Sequence, residues 1–239
     1  MDALSQPARM QEPVHVSLWI LVGFMVILHG LETAAAAGWV SPLFGWFYMH
    51  SAFGFFDPYF DAAMAGEPYP TQVYWSLITH GFLHGSWLHL AMNGAILLAV
   101  GHGVCRMAGA TVMLVAFFCS VIMGAVTLGL MTETKAVLVG ASGGVFGLLG
   151  LLLSWRARMM SRMGFSAMPV WRVVLALVVI HLFLIFGFES FGEGGLAGGN
   201  VAWQAHLGGF VAGWGLSYIY SPTRIIAKGP PSDPSLRQQ

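Results

Sequence analysis

Charge is scarce in this sequence. Asp, Glu, Lys and Arg make up 8% of its 239 residues, against roughly 25% in an ordinary soluble domain, while 57% are hydrophobic and mean hydropathy is +0.73. Such a composition excludes a water-exposed globular surface and belongs in a lipid bilayer. An excess of either sign is also missing. The formal net charge is zero, so a nucleic-acid partner, which is bound through clustered cations, is not expected. Cysteine is nearly absent: Cys105 and Cys119 have neither the spacing of a metal site nor the number for a disulfide framework, and both read as structural. A cleavable leader is not expected, because the first fifteen residues are polar and of mixed charge and no small-residue cleavage site follows the first apolar run.

Long apolar runs and glycine are what the chain has in quantity. Six segments approach the roughly 20 apolar residues that a helix needs to cross the hydrocarbon core: 17–37, 77–104, 110–131, 137–156, 170–188 and 202–220. The second allows a later start, with Thr79 to Ser86 as a polar turn. The 31 glycines suit helices that approach closely in lipid, where packing replaces hydrophobic drive. The fold class expected is therefore all-α, a polytopic bundle of six transmembrane helices over 17–220. A short segment, 1–16, precedes it. The connection 38–72, rich in Trp, Phe, Tyr, Gly and Pro, reads as amphipathic pieces in the membrane interface. A proline-containing tail, 221–239, is expected to be disordered.

Basic residues in short loops set membrane orientation. Arg9, Arg106, Arg156, Arg158, Arg162, Arg172, Arg224, Lys228 and Arg237 fall on one side, and Lys135 alone falls on the other. Both termini are accordingly expected in the cytoplasm.

Polar groups at membrane depth are costly unless they are paired or used. His89, Asn93, Ser142 and His206 stand in the outer halves of the second, fourth and sixth segments, which all run in the same direction. Ser142 lies in Gly140-Ala141-Ser142-Gly143-Gly144. A glycine-flanked serine at a helix start has exposed N–H groups and room for a substrate, which suits a nucleophile. His206 shares a helix face with Gly209 and Gly213, and Gly143 pairs with Gly147 in the same small-xxx-small spacing. The fourth and sixth helices can therefore bring His206 to Ser142 as a general base. His89 and Asn93, at i and i+4, present two donors on one face for a developing oxyanion. With no Asp or Glu in the middle of any segment, the pattern is a dyad, its imidazole stacked on Phe146. Taken singly, Ser142 reads as a packing residue, His206 as structural, Asn93 as helix glue and Phe146 as core. Their coincidence at one depth favours a site that needs no cofactor and no metal.

Three blocks, His80-x3-His84-x4-His89-x3-Asn93, Gly140-x-Ser142-Gly143 and Ala205-His206-x2-Gly209-x3-Gly213, together resemble the rhomboid intramembrane proteases across 17–220. The resemblance implies Ser142 as nucleophile, His206 as base, an oxyanion site from His89, Asn93 and the Ser142 N–H, and His84 in the surrounding polar cluster. It also implies transmembrane protein substrates, a fifth-helix gate and a bacterial plasma membrane as the home. The chain departs from the pattern in lacking any Lys or Arg between Glu32 and Arg106, hence a first-loop Trp-Arg pair, and in carrying Cys105 and Phe146 where relatives often place Glu and Tyr. Other readings are an inactive relative that binds membrane clients, a haem-binding cytochrome using some of the nine histidines and, more weakly, a transporter. His15, His29, His50, His102 and His181 match no block and read as interfacial or structural.

Overall fold

The computed structural model describes residues 13–132, 137–188 and 202–222, with backbone alone for 180–188. Six long helices fall on the six apolar segments: α1 (Val16–Ala36), α5 (Trp87–Ala108), α6 (Ala110–Met131), α7 (Ser142–Arg162), α8 (Met168–Phe188) and α9 (Trp203–Ile219). Between α1 and α5 lie three short ones, α2 (Trp46–Phe53), α3 (Asp57–Ala65) and α4 (Gln72–Thr79). Among the described residues, α1, α5 and α6 are long and apolar enough to cross a membrane. Glycine marks a tight turn between two of these. Gly109, at φ +92°, both ends α5 and precedes α6, so the chain reverses on one residue whose backbone an L side chain would strain.

The segment 77–104 is not one helix. Its first part closes α4 at Thr79 and a 3-10 turn, His80–Phe82, and the chain then runs extended at Leu83 before α5 begins at Trp87. The later start is fixed by Ser86, whose extended backbone and side-chain oxygen, accepting the His89 N–H at 3.2 Å, form an N-cap. His80 and His84 thus precede the helix that carries His89 and Asn93. The fourth segment likewise starts helix at Ser142 instead of 137. Val137–Leu138 is a short strand (β2), paired antiparallel with Phe55–Phe56 (β1) from the first connection, a pairing that apolar periodicity over two residues does not signal. Arg9, Lys135, the 1–12 segment and residues 223–239 of the proline-containing tail lie outside the described residues.

α7 is the central helix. Its apolar face, Val145, Leu148, Leu151 and Trp155, joins Leu18 of α1, Leu97 and Val104 of α5 and Met113, Ala116, Phe117 and Val121 of α6 in the main core. α9 packs on α7 and α6 more extensively than any other pair of elements, and glycine permits the approach. A Cβ placed on Gly213 would come within 2.7 Å of the Gly147 Cα, and one on Gly209 within 3.0 Å of the Gly143 Cα. At the far end the Trp155 indole N–H donates to the Tyr220 carbonyl at 2.7 Å, and Arg158 donates to the Ser217 carbonyl. α7 and α9 therefore run parallel, with both N-termini at one level.

Candidate active site

Ser142 is the first residue of α7, and Ala141 before it has no side chain able to cap. The first N–H groups of a helix have no intrahelical partner, so α7 opens with its amides and positive dipole end beside the serine. Gly140 directs the chain into that turn at φ +121°, a conformation that L residues rarely adopt. Its own N–H donates to the His80 carbonyl at 2.9 Å, tying the loop to the 3-10 turn. The His80 ring Nδ1 is in turn 2.8 Å from the Ser76 carbonyl in α4. The loop before the serine is thus held from below.

The glycine contact between α7 and α9 sets the distance of the next group. His206, one turn into α9, lies with Nε2 at 2.7 Å from the Ser142 Oγ. Its ring stacks on Phe146, with centroids 4.5 Å apart and planes 14° from parallel. Ser142, Phe146 and His206 are all half-buried, so the pair is reachable. With Nε2 free to accept, a hydroxyl at this distance from an imidazole is placed for its proton to leave as the oxygen attacks.

α5 supplies the opposite wall. A Cβ placed on Gly140 would lie 2.9 Å from the His89 Nε2 and 3.8 Å from the Asn93 Nδ2, so both side chains face the loop two residues before Ser142. Asn93 is buried, and its Nδ2 has no hydrogen-bond partner among the described residues. His84 is wholly buried, its ring edge-on to His89 with centroids 5.1 Å apart.

The four polar residues singled out in the sequence are therefore brought together around the start of α7, with Gly140, Gly143, Gly209 and Gly213 at the contacts that let them meet. Sequence reasoning passed over a second polar group. Glu32 in α1 is 4% exposed and is flanked by His29 Nδ1 at 3.0 Å and His50 Nε2 at 3.2 Å. The signal was present in the i, i+3 spacing of His29 and Glu32 inside an apolar helix. His15 accepts the Ser17 N–H ahead of α1, and the His181 side chain lies outside the described residues.

A helical membrane protein with a serine and a histidine hydrogen-bonded across parallel helix N-termini is the class that these observations define. Its family follows from comparison: a Rhomboid domain model matches residues 71–223. The chain belongs to the rhomboid family. It is 30% identical over 167 residues to an uncharacterized protein of Mycobacterium tuberculosis, covering 65% of this chain and 62% of that one. Rhomboid-like protease 3 of Toxoplasma gondii is 29% identical over 147 residues, covering 62% of this chain and 52% of its own. Rhomboid protease GluP of Bacillus subtilis is 30% identical over 145 residues, 59% of this chain and 25% of its own. The chain thus spans less than two thirds of the length of these relatives.

Proposed function

We propose that this protein is an intramembrane serine endopeptidase that hydrolyses peptide bonds in or near the transmembrane segments of other membrane proteins. The observation that carries the reading is the 2.7 Å contact between His206 Nε2 and Ser142 Oγ. In this mechanism His206 takes the hydroxyl proton as Ser142 attacks the scissile carbonyl, then gives it to the leaving amine. Water, activated by the same imidazole, releases the acyl group. The stack on Phe146 holds the ring in the plane that the transfer needs. The oxyanion is received by the Ser142 N–H at the α7 N-terminus and by His89 and Asn93, each such donor being worth about 2.7 to 4 kcal/mol in a site that excludes bulk water.

On this reading all six long helices span the bilayer, with both termini cytoplasmic and the dyad in the outer half of the membrane. Arg106, Arg156, Arg158, Arg162 and Arg172 then cluster at the inner ends of α5, α7 and α8, in keeping with the positive-inside bias. Substrates reach the site from the lipid, past α8, and the bacterial plasma membrane is the setting that the resemblance supports.

The test is intact-mass labelling of the detergent-purified protein with a serine-reactive fluorophosphonate. One adduct on the wild type, lost in both Ser142→Ala and His206→Ala, supports an activated serine. No adduct on folded wild-type protein overturns the reading in favour of a relative that binds clients without cutting them.

A further inference from the structure

A carboxylate in an apolar helix end must be compensated, because an unpaired buried charge is far costlier than any packing it provides. Glu32 meets an imidazole at each oxygen. Its Oε2 is hydrogen-bonded to His29 Nδ1 in its own helix, and its Oε1 lies 3.2 Å from His50 Nε2 in α2 without hydrogen-bond alignment, so a single side chain brings α1 against the first connection. All three groups are under 10% exposed. His50 is backed by the Trp46 ring at 4.4 Å.

The same unit reaches α5. The His29 ring meets Trp87 edge-on, with centroids 4.7 Å apart, and the Trp87 indole N–H donates to Thr33 Oγ1 at 3.2 Å. Thr33 Oγ1 donates to the His29 carbonyl at 2.9 Å, which closes the contact. Trp87 is the first residue of α5, and His89, whose N–H the Ser86 cap holds, follows within the same turn. The His89 ring in turn rests against Gly140, where a Cβ would come within 2.9 Å of its Nε2.

We propose that Glu32, with His29 and His50, is a positioning unit for the active site: it fixes the first turn of α5 against α1 and α2 and so holds His89 at the loop that carries Ser142. The proposal rests on the protease reading of Ser142. Glu32 contacts His29 and His50 and not the dyad, and it acts through Trp87 and the α5 N-terminus. Small displacements matter here, since moving a reacting group or donor by about 1 Å can cost about 10²-fold in rate.

The experiment follows fluorophosphonate labelling of wild type, Glu32→Gln, Glu32→Asp and His50→Gln as a function of reagent concentration, which separates the maximal rate from the half-saturating concentration. Hydrogen exchange of the peptide covering 84–94 is measured on the same samples. Glu32→Gln is expected to lower the maximal rate by roughly 10- to 100-fold with little change in half-saturation, and to speed exchange in the first turn of α5. Glu32→Asp should recover part of both. Wild-type rate and exchange in Glu32→Gln would overturn the proposal. So would loss of folded protein in both Glu32→Gln and His50→Gln, which would make the unit a folding anchor only. Wild-type protein that folds but takes no label refutes the dyad instead. The positioning unit then stands or falls on whether exchange in 84–94 responds to Glu32→Gln.

Discussion

Replacing Gly209 with Ala tests whether the close approach of α9 to α7 is what assembles the serine–histidine pair. The new Cβ would lie 2.8 Å from the Gly143 carbonyl carbon and nearer still to its oxygen, with the Gly143 Cα at 3.0 Å. Both obstacles are backbone, so no rotamer relieves them. Restoring even a tight C···O approach of about 3.3 Å requires α9 to retreat by roughly 1 Å at this level. His206 is one turn away on the same face, so a 2.7 Å contact with Ser142 opens beyond the roughly 3.5 Å at which a hydrogen bond is lost. A displacement of that size is expected to slow fluorophosphonate labelling about 10²-fold, equivalent to about 2.7 kcal/mol of barrier. Gly215→Ala is the control: nothing lies within 4 Å of a Cβ there, and exchanging a helical Gly for Ala favours the helix by up to about 1 kcal/mol. Rates are taken per folded molecule, with the folded fraction read from thermal unfolding in detergent. If Gly209→Ala labels within threefold of wild type, the interface yields elsewhere and the argument from glycine contact is wrong.

Removing a donor from the α5 wall, in His89→Ala or Asn93→Ala, is expected to reduce turnover roughly 10²- to 10³-fold if each stabilises the oxyanion. Unchanged labelling in both would remove that role. Phe146→Ala deletes a ring contact worth about 0.5 to 1.5 kcal/mol, so labelling should slow roughly 2- to 10-fold, with Phe146→Tyr close to wild type. An equal loss in the Tyr variant would mean that the stack is not what matters. Trp155→Phe withdraws the indole donor from the Tyr220 and Ser217 carbonyls at the end of α9. It should destabilise the fold by about 1 to 3 kcal/mol without changing the labelling rate of folded protein. An unaltered unfolding transition would refute the structural part of that account.

Apolar runs in the sequence located the six long helices, of which α1, α5 and α6 have the length and hydropathy to cross a membrane. The i, i+3 and i+7 spacing of His206, Gly209 and Gly213 likewise made one face of α9 legible, since helical periodicity is a local property. Sequence could not say where helix gives way to other backbone. The start of α5 at Trp87 depends on the Ser86 cap, and the β1–β2 pairing joins residues more than eighty apart in the chain, which no local pattern encodes. It also gave no sign of what Glu32 touches. A carboxylate near a helix end looks solvated in one dimension, and only the folding of α2 back onto α1 brings His50 to it and takes both out of water. Residue types and their helical spacing are written along the chain. Which of them touch is decided by close packing between segments distant in sequence, and that exists only once the helices have met.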